Sequence, residues 1–132
     1  MAHGLLAYQP IDVEITVTNG AAGATAGTDT VAIQFKGANG EDIAEPVTVI
    51  WRMTTDAYGQ TLATTSTDIT TLAIGTDGTL EEISSNVYGF TTSERDGDVD
   101  LAIVIPSGKT VYLCLVMPSG RLVISDAITY ST

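Results

Sequence analysis

The stretch Ser93 to Ile105, SERDGDVDLAIVI, sets Asp96, Asp98 and Asp100 at alternate positions in front of an apolar run. Carboxylates at that spacing are what a calcium loop offers in its first ligand positions. Such a loop also needs a glycine at its sixth position and a bidentate glutamate at its twelfth. Counted from Asp96, those positions hold Leu101 and Ser107. Val99, Leu101, Ile103 and Ile105 meanwhile alternate as one apolar face, which puts Asp98 and Asp100 together on the other. The stretch therefore reads as the solvated start of a β-strand beside an Asp-Gly turn. Neighbouring carboxylates that repel one another would accept a weak surface cation, but no metal ligand is assigned and no cofactor is expected.

The other candidates for chemistry fail on similar grounds. SGKT, Ser107 to Thr110, matches the tail of a phosphate-binding loop, but the first glycine of that motif would fall at Ile103, and a strand-like VYLCLVM follows where a helix is required. His3 is the one histidine in the chain and stands alone near its start, so a triad or zinc site would have to be built around it. Cys114 lies between Leu113 and Leu115 in an apolar strand, which suits packing better than nucleophilic attack. Glu81 and Glu82, like Asp98 and Asp100, are paired carboxylates, but acid–base work needs two carboxyls in different environments across a cleft, and the sequence does not place these so. Trp51, in the middle of VTVIWRM, reads as a core plug between sheets; a sugar-stacking role would call for a row of exposed aromatics. No catalytic residue is assigned and no enzyme is expected.

The elements that must carry these residues are strands. IDVEITVT alternates Ile11, Val13, Ile15 and Val17 with polar residues; VAIQFK and PVTVIWRMT repeat the pattern with Val31, Ile33 and Phe35, then Val47, Val49, Trp51 and Met53. The β-branched residues and threonines favour strands, and no helical period of useful length is present. Pro10, Pro46, Pro106 and Pro118 punctuate the strands, and Asn19-Gly20, Asn39-Gly40, DAYG, TDG and RDG mark turns. NGAAGATAGTD reads as a loop of small residues, and the threonine-rich residues 55 to 79 as room for one or two short edge strands. DVDLAIVI, TVYLCLVM and RLVISDAITY, joined by the turns PSGK and PSGR, read as a C-terminal three-strand meander. The expected fold is a single all-β domain over residues 11–132, an antiparallel immunoglobulin-like β-sandwich or β-tulip, preceded by an arm at residues 1–10.

Composition limits the partners. The chain has 132 residues and a net charge of −11, with only Lys36, Arg52, Arg95, Lys109 and Arg121 as cations. Such a surface is repelled by phosphate backbones and by anionic membranes, so no nucleic-acid and no membrane partner is expected. A single cysteine allows no intrachain disulfide, and MAHGLLAYQP lacks the basic start and apolar core of a signal peptide, so assembly in a reducing cytoplasm is expected. Two places are apolar without an obvious core to join. The strand TVYLCLVM carries Tyr112, Cys114 and Val116 on the face opposite Val111, Leu113 and Leu115, and the arm carries Leu5, Leu6 and Tyr8. The strand's outer face is either covered by the chain or meets another chain, and the arm would gain by burial on a neighbour. Leu5, Leu6, Tyr8 and Tyr112 are therefore the expected partner-binding residues.

VTVIWRMTTDAYGQTL, AIGTDGTL, SERDGDVDLAIV and YLCLVMPSGRLVISDAITY, spread over residues 11 to 130, together resemble the small immunoglobulin-like head decoration (cement) proteins of tailed phages. The chain lacks the paired core cysteines of immunoglobulin domains, so only the sandwich carries over, and the family offers no site residues. The resemblance implies a virion protein assembled in the host bacterial cytoplasm and seated on the capsid exterior, commonly as a homotrimer. Its partner would be the major capsid protein, and its action mechanical. Two other readings stand beside it: an immunoglobulin-like adhesion module for a host glycan or protein, to which exposed Tyr58, Tyr88 and Phe90 would point, and a tail or baseplate component.

Overall fold

The computed structural model describes residues 12–20 and 28–130; the arm at residues 1–10, with Leu5, Leu6 and Tyr8, lies outside the described residues. Ten strands follow in chain order: β1 (Asp12–Thr18), β2 (Thr28–Lys36), β3 (Thr48–Thr54), β4 (Thr71–Ile74), β5 (Thr79–Ser84), β6 (Tyr88–Thr92), β7 (Asp98–Val104), β8 (Thr110–Val116), β9 (Leu122–Ile124) and β10 (Ile128–Thr129). They form two antiparallel sheets, one ordered β1-β2-β7-β4, the other β10-β8-β3-β6-β5 with β9 also paired to β8. No helix occurs among the described residues. The all-β sandwich expected from the period-two pattern is the fold observed.

The alternation decides which side chains fill the space between the sheets. Val31, Ile33 and Phe35 of β2 and Leu101 and Ile103 of β7 face Trp51 and Met53 of β3 and Leu113 and Leu115 of β8, all fully buried. Trp51 is the largest of them, and its truncation would cost about 3–5 kcal/mol. Its indole Nε1 has no hydrogen-bond partner, consistent with a tryptophan used for volume.

Two buried serines close backbone groups that the ladders leave open. Ser93 Oγ accepts the Val47 N–H at 2.8 Å and donates to the Glu94 carbonyl at 2.9 Å. Ser125 Oγ repeats the device, accepting the Leu113 N–H at 2.9 Å and donating to the Asp126 carbonyl at 2.8 Å. Each replaces a strand partner where pairing stops, which removes the penalty of an unpaired buried amide.

The C-terminal meander needs two corrections. The PSGR turn does close a hairpin, with the Met117 N–H on the Arg121 carbonyl at 2.9 Å and β9 paired to β8. The PSGK turn closes none: β7 belongs to the first sheet and β8 to the second, so this turn crosses the end of the sandwich. Both strands bury apolar side chains between the sheets, and placing them in opposite layers gives each layer half of the core. The third expected strand is also broken, into β9 and β10, which both pair with β8. The threonine-rich segment supplies the edge strand β4 and leads into the edge strand β5, as the sequence suggested.

β5 and β6 approach unusually closely at Gly89. A Cβ there would lie 1.9 Å from the Glu81 carbonyl oxygen, and backbone atoms cannot step aside as a flexible side chain can. Gly89→Ala is expected to lower unfolding free energy by about 3 kcal/mol, within the range of overpacked sites, as read from the denaturant midpoint; an unchanged midpoint would show that the β5–β6 pairing is looser than described.

Candidate functional site

The outer face of the six-stranded sheet carries an apolar row that the core does not explain. In antiparallel pairs, residues directly opposite one another share a face. Ile50 of β3 is opposite Phe90 of β6 and Val116 of β8, and Val116 is opposite Leu122 of β9. The row Leu122–Val116–Ile50–Phe90 therefore crosses four strands on one surface and ends at Glu81 of β5, the partner of Phe90. Ile50 is 43% exposed, Phe90 41% and Leu122 41%, so these side chains meet water rather than the core. Ile50, Phe90 and Val116, with Met117 and Pro118, line an open hollow of about 380 Å³.

A second row runs beside the first. Arg52 of β3 is opposite Tyr88 of β6 and Cys114 of β8, and Cys114 is opposite Ile124. Arg52 lies half-buried in a hollow of about 290 Å³ with Ile50, Leu62 and Tyr88 around it, and its Nε has no hydrogen-bond partner. Three ion pairs form among the described residues: Lys36–Asp42, Lys109–Asp68 and Arg121–Asp12. Arg52 belongs to none of them, although the chain is rich in carboxylates.

The loop after β3 frames this surface. The Asp56 carboxylate accepts the backbone N–H groups of Tyr58, Gln60 and Thr61, at 2.7 Å for Thr61, and these bonds hold its pKa below the usual value. The loop folds over Cys114: Gly59, at φ +74°, leaves only 3.0 Å between a would-be Cβ and Cys114 Sγ. Cys114 is thus buried by its own chain, and desolvation raises its thiol pKa. The two-faced strand β8 is covered here at Cys114 and open at Val116. Tyr112 stands opposite Thr54, half-buried, off the apolar row. Tyr58 projects from the loop at 74% exposure. Of the aromatics considered at the sequence level, Tyr88 and Phe90 lie on a strand, with Tyr58 on the loop beside them.

The row could have been found from the sequence by asking which apolar residues fall out of phase with the core. Ile50 lies between Val49 and Trp51, and Tyr88 and Phe90 flank a glycine that presents no side chain on the other face. What the sequence could not give is that β6, β3, β8 and β9 lie side by side in that order.

The aspartates of the opening stretch are placed as expected, with one addition. Asp98 and Asp100 point outward from β7, and Asp77, from the β4–β5 turn, joins them so that one carboxylate oxygen of each lies within 4.8 Å of the others. Asp96 stays in the turn, where its backbone carbonyl accepts Gln34 Nε2 at 2.7 Å. Thr76 Oγ1 donates to Asp100. Burial first, then the hydrogen bond with Asp77 and the Asp100 charge, push Asp98 up to about 6. Hydrogen bonding to Glu94 and Asp98 keeps Asp77 low, and Glu94 is raised chiefly by Asp77. Carboxylates packed this closely repel one another, which adds to the effect of burial on Asp98.

No protein-family model matches the chain, and no curated protein matches it in sequence. Among solved structures, it is similar to a cohesin module from a Clostridium perfringens family 33 glycoside hydrolase. The match has a TM-score of 0.51 and 11% identity, and covers 93% of this chain and 98% of that one. At that identity the likeness concerns the fold: an immunoglobulin-like β-sandwich along nearly the whole chain.

The raised Asp98 pKa has a definite sign for stability. Its ionised form costs the folded state above pH 6, and the cost fades as pH falls through about 6 toward the unfolded value near 3.8. Thermal midpoints should therefore rise from pH 7 to pH 5. Asp98→Asn should raise the unfolding free energy at pH 7 by about 1 kcal/mol once solvent screening is allowed for, lift the pH 7 midpoint accordingly and flatten that rise; a variant less stable than wild type at pH 7 would show the carboxylate to be a net stabiliser.

Proposed function

We propose that this protein is a non-catalytic structural module that decorates a phage head, binding the outer surface of the major capsid protein shell and stabilising it. The observation that carries the reading is the apolar row on the outer face of the six-stranded sheet, a surface of the kind that marks protein contact. The sequence resemblance to tailed-phage decoration proteins gives that surface its context. A β-sandwich with tightly closed strand ends suits a mechanical task, since it can transmit load through its ladders without a moving part. The acidic surface keeps free copies soluble before assembly.

Under this reading the protein acts by burying area between neighbouring subunits of the shell, with each specific contact on the scale of about 1,600 Å². It works as a homo-oligomer, a trimer at local three-fold positions being the form that the resemblance implies. The arm at residues 1–10 supplies Leu5, Leu6 and Tyr8 to the shell. Asp12, where β1 begins, is tied to Arg121 of the β8–β9 turn by a 2.8 Å ion pair.

A second reading, an adhesion module for a host glycan or protein, draws on the grouping of Tyr58, Tyr88 and Phe90 around one face. Aromatic side chains arranged this way stack on sugars as well as on proteins.

Co-sedimentation with empty expanded capsids of the source phage separates the two. Decoration predicts binding at a fixed ratio to the major capsid protein, with affinity reduced at least about tenfold, or about 1.4 kcal/mol, when residues 1–10 are removed. Unchanged binding without the arm would refute its role, and failure of the whole protein to bind capsids while binding cells or glycans would favour adhesion.

A further inference from the structure

We propose that the free edge of β1 pairs with β1 of a second copy, antiparallel about Ile15, so that the four-stranded sheets of two chains join into one. The inference goes beyond the decoration reading and does not depend on it. Among the described residues, β1 is bonded to β2 on one side and to no strand on the other. The direction of its free groups follows from β2. In an antiparallel sheet a residue sends its N–H and C=O to one neighbouring strand, and the next residue sends them to the other. The Phe35 N–H goes to the Gly97 carbonyl at 2.9 Å, on the β7 side. Gln34 and Lys36 therefore bond to Glu14 and Asp12 of β1, and Val13, Ile15 and Val17 turn their backbone groups to the open edge. The Val13 N–H agrees with this parity: it donates to Asp12 Oδ1 at 2.8 Å, a side chain standing where a strand would be.

Sheet edges are blunted by shortness, bulges, proline or lysine. The other edges of this sandwich have such devices: β4 has 4 residues, β9 has 3 and β10 has 2, and the β5 ladder is irregular between Glu82 and Ser84. β1 has 7 residues in an unbroken register, with neither proline nor lysine. Ile15 and Val17 are only half-buried, apolar side chains at a rim that a further strand would cover.

The strand DVEITVT is complementary to itself. Antiparallel pairing centred on Ile15 sets Val13 against Val17, Ile15 against Ile15, Glu14 against Thr16 and Asp12 against Thr18. Apolar side chains meet apolar ones on the core side, and no carboxylate stands directly opposite another. Val13, Ile15 and Val17 carry the free backbone groups and fall opposite one another, so the same register closes the hydrogen bonds. A shift of the centre to Glu14 would set two glutamates face to face, which is destabilising. Asp12 lies opposite Lys36 and is paired with Arg121, which lowers the negative field at the seam. The rest of the −11 net charge is largely screened beyond about 8 Å at physiological ionic strength. Such a contact closes about a two-fold axis and stops at a pair of chains. It is distinct from the three-fold contact that the resemblance implies, and it leaves the outer face of the six-stranded sheet uncovered.

The test is the mass of the full chain by sedimentation equilibrium at physiological ionic strength, for wild type, Thr16→Glu and Thr16→Lys, with circular dichroism to check that each is folded. Thr16 is exposed, so neither change touches the core. The two-fold axis repeats the Glu14–Thr16 contact, so each substitution is felt twice. We expect wild-type chains to associate, Thr16→Glu to weaken the association about tenfold and Thr16→Lys to strengthen it about fivefold. Oxidation of the Glu14→Cys/Thr16→Cys variant should give a covalent two-chain product, since opposite Cα atoms in a non-hydrogen-bonded pair lie about 4.5 Å apart, within disulfide reach. A monomeric wild type overturns the inference, and so does an association that both Thr16 variants leave unchanged. A Thr16→Cys single variant that cross-links as readily as the double variant overturns the register centred on Ile15.

Discussion

The alternation of side chains along β3 is the constraint on which this structure depends. β3 is a central strand of its sheet, hydrogen-bonded to β6 on one side and β8 on the other. Its inward residues, Val49, Trp51 and Met53, fill the space between the sheets, and its outward residues, Ile50 and Arg52, make the middle of the exposed face. A slip of one residue would exchange the two sets. It would expose a tryptophan and bury a guanidinium, each at a cost of several kcal/mol. The core therefore holds the register, and the register holds the outer face in place.

The same logic links the remaining elements to the face. Ser125 completes the backbone of β8 at Leu113, beyond the last β9 pairing, and so keeps β8 aligned where Val116 and Leu122 meet. Gly89 lets β5 pack against β6 closely enough to set Glu81 beside Phe90. Asp56 gathers three backbone amides and fixes a loop that covers Cys114 while presenting Tyr58 and Leu62. The other sheet has a different character. Its β2–β7 pair is buried on one side and carries Asp98 and Asp100 on the other, where Asp77 of the β4–β5 turn joins them. One layer of the sandwich is thus electrostatically guarded, and the other offers apolar surface.

Cys114 lies under a loop, Ser93 and Ser125 serve as partners of backbone groups, and Asp98 and Asp100 cluster with Asp77. The likeness to a cohesin module extends along nearly the whole chain and concerns architecture. The proposed role on a phage head draws on the sequence motifs and on the apolar face together.

The sequence by itself determined the fold class, because a period of two written in β-branched residues admits strands and little else. It also determined that Val99, Leu101, Ile103 and Ile105 face inward and that Asp98 and Asp100 do not, since both follow from alternation within one strand. It identified Trp51 as a plug for the same reason. The tertiary structure alone decided what lies beside what. Two turns of nearly identical sequence, PSGK and PSGR, became a crossover between sheets and a hairpin, because the destination of a strand depends on which layer has room for its apolar side. Asp77 joined the aspartates from a distant turn, and Ile50, Phe90, Val116 and Leu122 joined into a row, because strand order brings together residues far apart in the chain. Periodicity is a local property and fixes which way a side chain points; adjacency is a property of the packed sheets and fixes what it meets.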